Sequence, residues 1–200
     1  LLQGGTPRAQ IALYPTPGLE VFVRLESAPV RGLFFQDGRT FAVSGNTFYE
    51  VFASQTATER GTVAVDQNPA TINSNGTAGD QLFITSGGSG YIYDLTANTL
   101  SAAITEPGFP SPALMGEYLD SYFLCLKGQT IQYNWSNLLD GTTWPALNVA
   151  QVSQSSDNLV CLAVNHREIW LAGTKTTAIW TNTGDTSVFA PIQAAYIQKG

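Results

Sequence analysis

The chain of 200 residues repeats one pattern four times. Each repeat closes an apolar segment with a glycine, and these glycines are separated by 43, 40 and 45 residues. They are Gly45, Gly88, Gly128 and Gly173. Repeats of roughly 40–50 residues with several strands each are typical of β-propellers, in which every repeat forms one blade. The repeat therefore predicts a propeller before any single motif is considered.

Each repeat carries the same order of strand and turn signals. An apolar strand runs into a polar turn, a second and almost wholly apolar strand follows, and the glycine leads into a third strand. Pairs such as Asp37-Gly38 form tight hairpins because they accept positive φ angles at little cost. The third strands alternate between apolar and polar residues, as in residues 47–51, which is typical of a half-buried strand. The continuously apolar second strands are expected to pack on both neighbouring blades.

These signals predict an all-β fold, an incomplete β-propeller of about four blades of antiparallel strands. Proline lacks the N–H that a strand ladder needs, so the Pro-rich segments between repeats are predicted to be loops. Four blades lie at the low end for a closed propeller, so we expect a piece of a longer chain. The best helical candidate, residues 136–141, is at most one turn. The predicted units are residues 28–66, 76–104, 112–150 and 156–192, after a lead-in segment, residues 1–27, in which a first strand is possible.

The charge pattern excludes one class of function. The chain has 15 acidic and nine basic residues, a net charge of −6. Proteins that read nucleic-acid sequence carry clustered Lys and Arg that neutralise phosphates, so tight DNA or RNA binding is not expected here. The apolar runs are far shorter than the roughly 20 residues of a membrane span, so no membrane partner is predicted. The basic residues are scattered: Arg8, Arg24, Arg31, Arg39, Arg60, Lys127, Arg167, Lys175 and Lys199.

No residue pattern indicates catalysis, a cofactor or a metal. We therefore predict no catalytic, cofactor-binding or metal-binding residue. His166 stands in a polar turn, and the chain lacks a GxSxG nucleophile motif. The Gly-rich residues 86–90 lack the Lys-Ser/Thr of a phosphate loop and precede a strand. Asp37-Gly38 and Asp140-Gly141 lack the dense carboxylates of a calcium loop and are interpreted as turns.

Cysteine and tryptophan side chains are assigned mainly to the core. Cys125 and Cys161 lie in apolar segments and are predicted to be buried. Trp170 and Trp180 occupy strand positions and are predicted to lie between blades. Trp144 lies in a loop and is predicted to be buried beneath it, whereas an exposed ring would indicate a binding surface.

Several segments, taken in order, resemble one protein family. They are LYPTPGLEVFVRL, APVRGLFFQDGRTFAVSGNTFYEV, SGGSGYIYDL, PGFPSPALMGEYLDSYFLCL and LVCLAVNHREIWLAGTKTTAIWTNTGD. Together they resemble the packaged-DNA stabilisation proteins of short-tailed bacteriophages, the tail hub or nozzle proteins, from about Ile11 to the end. The ordered succession carries the resemblance more than any single motif. It implies a β-propeller, and family members are longer than this chain.

The resemblance also implies a function. It implies a structural virion protein of the phage tail, made in the host bacterial cytoplasm, and not an enzyme. Copies would form a ring, expected to be a homo-hexamer, below the portal-adaptor (head completion) protein. Tail needle, fibre or tailspike proteins are the further partners implied. The ring would extend the DNA channel and retain packaged DNA until ejection, passing DNA without specific binding, and no cofactor is implied.

Two other functions stay open from sequence alone. One is a propeller enzyme or glycan-binding propeller with an axial ligand site, and the other is a general protein-interaction propeller. A channel that passes DNA must not hold it, so its wall is predicted to be acidic or polar. A lumen lined mainly by Arg31, Arg39, Arg167 and Lys175 would contradict the phage function.

Overall fold

The computed structural model describes residues 18–25, 28–153 and 157–198. Within them the chain forms four sheets, each of four antiparallel strands, and one short helix. We call the sheets blades 1 to 4 in chain order. In every blade the strands lie side by side in the order in which they follow along the chain.

Blade 1 contains β1 (Val30–Gln36), β2 (Arg39–Ser44), β3 (Thr47–Val51) and β4 (Ala57–Thr62). Blade 2 contains β5 (Thr71–Ser74), β6 (Gln81–Ser86), β7 (Ser89–Asp94) and β8 (Thr99–Leu100), with helix α1 (Gly76–Gly79) between β5 and β6. Blade 3 contains β9 (Ala113–Leu119), β10 (Tyr122–Lys127), β11 (Gln132–Trp135) and β12 (Val149–Gln151). Blade 4 contains β13 (Leu159–Asn165), β14 (Glu168–Gly173), β15 (Thr177–Asn182) and β16 (Phe189–Ile197).

The first hairpin of three blades is made by two consecutive residues with positive φ. A two-residue type I′ turn needs positive φ at both central positions, and its twist matches that of the flanking strands. The polar turns predicted from the sequence are therefore the β1–β2, β9–β10 and β13–β14 hairpins. The central pairs are Asp37 and Gly38 in blade 1, Asp120 and Ser121 in blade 3, and His166 and Arg167 in blade 4.

The four repeat glycines occupy equivalent places in the blades. Each lies where the second strand of its blade gives way to the third. Gly45 and Gly88 have φ angles of 55° and 80°, a left-handed conformation that glycine adopts without a side-chain clash. The predicted all-β fold of four-stranded blades is thereby confirmed.

Consecutive blades pack face to face through three separate clusters of buried side chains. Among the described strands, substantial contacts between sheets link only consecutive blades. Representative ring pairs are Phe41 and Tyr93 between blades 1 and 2 (centroids 5.5 Å apart), Phe83 and Phe123 between blades 2 and 3 (5.3 Å), and Tyr133 and Trp180 between blades 3 and 4 (5.7 Å).

Alternation along the second strands defines two faces of each blade. In β6, Leu82 belongs to the cluster shared with blade 1, and Phe83 belongs to the cluster shared with blade 3. In β10, Phe123 points to blade 2 and Leu124 belongs to the cluster shared with blade 4. We call the side toward the preceding blade the front face and the side toward the following blade the back face. The first, third and fifth residues of each second strand lie on the back face.

Two local features differ from the sequence expectations. Residues 136–141 form a turn with a bridge between Asn137 and Asp140, not a helical turn. The one helix, α1, lies instead in the β5–β6 connection, where its C-cap Asp80 adopts a left-handed conformation. The predicted unit boundaries stay a prediction, and the described residues 18–25 of the lead-in contain no strand.

Candidate functional site: the inner grooves and the inter-blade clasps

The first strands of the four blades lie next to one another and form the inner edge of the assembly. Contacts run from β1 to β5, from β5 to β9 and from β9 to β13. Side chains join β5 to β9: Asn73 Nδ2 donates to the Gly116 carbonyl at 2.8 Å, and Gly116 N–H donates to Thr71 Oγ1 at 2.8 Å. The inner edge is thus held by hydrogen bonds between blades as well as by apolar packing.

Two grooves cross this inner edge, one at each end of the first strands. The groove beside the β1–β2 hairpin is lined by Phe34, Gln36, Asp37, Asn73, Ser74, Gly76, Thr77, Glu117, Tyr118 and Val164. The groove at the opposite end is lined by Asp66, Asn68, Pro69, Ser86, Gly87, Gly88, Pro112, Ala113, Leu114, Gly128, Gln129, Asn158, Leu159, Val160 and Thr174. These described lining residues include no Lys and no Arg. Arg31 lies behind the wall of the second groove, where it donates to Asp66 and Ser86.

Glu117 is the half-buried carboxyl group of the first groove. Burial raises its pKa above the ordinary value, and the Tyr118 backbone N–H opposes that shift by hydrogen bonding. Desolvation disfavours the charged form of this carboxylate. The groove therefore has a polar or weakly acidic wall and no fixed positive charge.

Arg31, one of the scattered basic residues, is buried at the interface between blades 1 and 2. Its side chain is only 9% exposed. The guanidinium donates to the Gly45 carbonyl at 2.7 Å, to Ser86 Oγ at 2.5 Å and to Asp66 Oδ1 at 3.2 Å. Because Ser86 belongs to blade 2, the Arg31 side chain hydrogen-bonds both blade 1 and blade 2. We call an arginine that links two blades in this way a clasp. The charge of Arg31 is balanced by Asp66 within the protein.

Arg39 forms a second clasp at the other end of the same interface. It donates to both oxygens of Glu50, at 2.7 and 3.0 Å, and to the Leu95 carbonyl of blade 2 at 2.7 Å. Arg60 donates to the same Glu50 carboxylate at 2.6 Å. The pKa of Glu50 is lowered, chiefly by the hydrogen bond from Arg39, although burial opposes this shift. The same hydrogen bond is the main cause of the raised pKa of Arg39.

Arg167 joins blades 3 and 4 from a more exposed position. Its side chain is 75% exposed, and Nη2 donates to Asp120 Oδ2 at 2.8 Å. Asn182 Nδ2 donates to the same oxygen at 3.1 Å. Arg31, Arg39 and Arg167 are thus occupied between blades, while Lys175 is exposed in the turn after β14.

The sequence missed these clasps for a definite reason. Arg39 and Glu50 lie on neighbouring strands, and their contact follows from the β2–β3 register around the Gly45 turn. A pairing of opposite charges across that predicted hairpin was a signal that could have found it. The contacts of Arg31 with blade 2 depend on how two blades pack, and no local pattern encodes them.

The histidine and the two cysteines, whose side chains could take part in catalysis or metal binding, do not lie together. His166 is exposed in the β13–β14 hairpin. Cys125 is buried, as predicted, and desolvation raises the pKa of its thiol. Cys161 is exposed, so its predicted burial was wrong: it lies on the back face of blade 4, which no described blade covers. The described residues contain no group of three or more His, Cys, Asp or Glu side chains able to hold a metal ion.

The tryptophans divide between core and surface. Trp144 is 1% exposed and donates its indole N–H to the Gly141 carbonyl at 2.8 Å, which confirms its burial under the loop. Trp180 is buried between blades 3 and 4, as predicted. Trp170 is only half-buried, and its N–H donates to Glu168 Oε2 at 3.2 Å, so its prediction as inter-blade core was wrong. Like Cys161, it lies on the back face of blade 4, on which no described blade packs.

No helix within the described residues has the length and apolar character needed to cross a membrane. The consecutive four-stranded meander blades, joined along their first strands, define a segment of a β-propeller. The family described as phage stabilisation, Bacteriophage P22 Gp10, β-propeller, matches residues 6–200. The chain belongs to this family of bacteriophage structural proteins, and the resemblance seen in the sequence is confirmed.

Two further comparisons bear on the fold. The chain is similar to the crystal structure of the computationally designed Ika8 protein, with a TM-score of 0.53 and 12% sequence identity. That match covers 76% of this chain and 45% of the designed chain, so this chain spans less than half of the structure that it matches. No curated protein sequence matches the chain.

Proposed function

We propose that the chain is a wall segment of a phage tail hub, or nozzle, in the virion of a short-tailed phage. It extends the DNA channel below the portal and adaptor and retains packaged DNA until ejection. One observation carries the proposal beyond family membership. The described arginines of the blade interfaces are engaged in clasps, and the described lining of both inner grooves lacks Lys and Arg.

The physical reason lies in the cost of DNA sliding past a cationic wall. Each phosphate that a Lys or Arg neutralises releases counterions and strengthens binding, so a basic wall would hold the genome in place during ejection. A protein with a net charge of −6, whose arginines at the blade interfaces are paired with carboxylates, presents a neutral or repulsive surface. DNA then passes without specific contacts.

The proposed partners follow from the same role. Six copies form a ring below the portal-adaptor (head completion) protein, and the ring receives the tail needle, fibre or tailspike proteins. Synthesis takes place in the host bacterial cytoplasm, and the mature protein lies in the virion tail. A propeller enzyme or glycan-binding propeller is the competing function, and no specific observation on the described residues favours it.

The position in the virion tests the proposal directly. Purified virions are labelled with gold-conjugated antibodies raised against the 200-residue chain and imaged by negative stain. Label is expected at the tail vertex, with rings when the protein is isolated from disrupted tails. Label spread over the capsid, or absent from virions while present in infected cells, would contradict a tail role.

A binding titration tests the wall property separately. Duplex DNA is titrated with the chain at several salt concentrations. We expect dissociation constants no tighter than the roughly 10⁻⁴ M at the weak end of non-specific binding, with a shallow salt slope. Micromolar binding that weakens steeply with salt would show a cationic track and would refute the neutral-wall mechanism.

A further inference from the structure

Three buried polar atoms lie in the interface between blades 3 and 4. They are the hydroxyl oxygen of Tyr133 and the indole nitrogens of Trp135 and Trp180. The first two side chains belong to β11 of blade 3 and the third to β15 of blade 4, and all three are members of one buried cluster. The residues are 0%, 7% and 8% exposed. Within the described part of the chain, none of the three atoms has a hydrogen-bond partner.

The rings that carry these atoms pack around Tyr133. The Tyr133 centroid lies 5.9 Å from that of Trp135 and 5.7 Å from that of Trp180, which stands almost perpendicular to it at 89°. Phe189 of β16 packs on the same group, with its centroid 5.2 Å from Trp135 and 6.4 Å from Tyr133. Rings in mutual contact place their polar atoms in the same part of the interface. This part of the interface therefore holds three polar atoms among aromatic carbon.

Three unpaired polar groups in one interface would be costly. A buried N–H or O–H group without a partner loses the hydrogen bond that it makes with water in the unfolded chain. Folded proteins therefore pair most buried polar atoms with protein groups or with ordered water. Other buried rings of this chain are paired directly: Tyr91 Oη accepts from the Ala64 N–H at 2.8 Å, and the Trp144 indole donates to the Gly141 carbonyl at 2.8 Å. The blade 3–4 interface needs a partner of another kind.

We propose that one water molecule is bound inside the blade 3–4 interface, where it links the Tyr133 hydroxyl to the indoles of Trp135 and Trp180. The water oxygen accepts from the two indole N–H groups, and one water O–H donates to the Tyr133 oxygen. An indole can only donate, whereas a phenol oxygen can also accept, so the three groups match the two lone pairs and one hydrogen of a water molecule. Buried water typically makes about three hydrogen bonds to polar groups that lack other partners.

The chemistry of the site selects a neutral ligand over an anion. Burial raises the pKa of the Tyr133 hydroxyl, so this group is uncharged at neutral pH. Among the described residues, no Lys or Arg hydrogen-bonds any of the three atoms. An anion buried without a cation carries a large desolvation cost, which a water molecule does not. A neutral molecule that both donates and accepts fits the three groups.

The bound water gives the blade 3–4 interface a different kind of link from the blade 1–2 interface. Blades 1 and 2 are joined directly, by the clasps of Arg31 and Arg39. The clasp of blades 3 and 4, Arg167, is 75% exposed and lies outside the aromatic cluster. A water that bridges two polar groups is nearly as favourable in enthalpy as a direct hydrogen bond. The water therefore joins β11 to β15 inside an interface whose direct clasp is at the surface.

The sign of a stability change tests the bound water, and it does not depend on the proposed tail function. The substitution Tyr133→Phe keeps the ring and removes only the hydroxyl. Because that hydroxyl is bonded to the water, its loss should lower the thermal midpoint by about 2–4 °C, as for one hydrogen bond in a chain of this size. The control Tyr91→Phe removes a hydroxyl with a protein partner and should give a loss of the same sign. A midpoint that stays constant or rises in Tyr133→Phe would overturn the proposal.

Nuclear magnetic resonance detects the water itself. In the isotope-labelled chain, the indole N–H protons of Trp135 and Trp180 should show nuclear Overhauser cross peaks to a long-lived water. Trp144, whose N–H donates to the Gly141 carbonyl, should show none. The cross peaks should persist in the Tyr133→Phe variant, in which no exchanging hydroxyl proton can relay them, and their absence from either protein would contradict the proposal. A thermal midpoint that bromide raises in the wild type but not in Tyr133→Phe would show a bound anion, which would equally contradict it.

Discussion

Glu50 is a buried carboxylate that receives hydrogen bonds from Arg39 and Arg60. Because its folded-state pKa lies below the ordinary value, its contribution to stability is complete above the unfolded-state pKa. That contribution is lost as the pH falls through the folded-state pKa. The substitution Glu50→Gln removes the charge and should reduce the free energy of unfolding at pH 7 by about 2 kcal/mol, the size of hydrogen bonds to a charged group. Urea denaturation at neutral and acidic pH measures both effects.

Glu59 provides the matched control for that residue. It lies on β4 of the same blade, is exposed, and has only a long contact of 3.4 Å with the Tyr49 hydroxyl. The substitution Glu59→Gln should change stability by less than about 0.5 kcal/mol, as is usual for exposed positions. The pH dependence of the wild type should flatten in the Glu50 variant and persist in the Glu59 variant. Equal flattening in both would show that Arg39 does not depress the pKa of Glu50.

At the scale of the strand, two inner strands use glycine to let blades approach closely. A Cβ on Gly32 would lie 2.7 Å from the Ala70 carbonyl oxygen, and a Cβ on Gly116 would lie 2.5 Å from the Phe83 ring. The substitution Gly116→Ala should therefore force β9 away from β6 and cost about 1–3 kcal/mol by overpacking. Thermal and chemical denaturation measure the loss. The control is Gly128→Ala, where the nearest atom would be 3.4 Å away, and a similar loss there would exclude overpacking as the cause.

The strands and hairpins could be predicted from the sequence because their causes are local. Positive φ at Asp37, Gly38, Gly45 and Gly88 fixes turns within a few residues, and the spacing of the repeat then gives the number of blades. Burial of individual side chains was less predictable. Cys161 and Trp170 lie in strands as apolar as the others, but they belong to the last described blade, whose back face meets no other blade among the described residues. The hydrogen bonds of Arg31 could not be predicted either, because its partners lie in segments up to 55 residues away along the chain.

At the scale of the whole molecule, stability is distributed over three interfaces rather than held in one central core. A structure in which each unit contacts only its neighbours loses stability locally when one interface is weakened. The substitution Phe83→Ala empties the centre of the blade 2–3 interface and should cost about 3–5 kcal/mol. Native-state hydrogen exchange should then accelerate in β6 and β10, while β15 keeps its wild-type protection. The exposed control Leu147→Ala should change no strand, and a uniform acceleration in all four blades after Phe83→Ala would show a single cooperative unit instead.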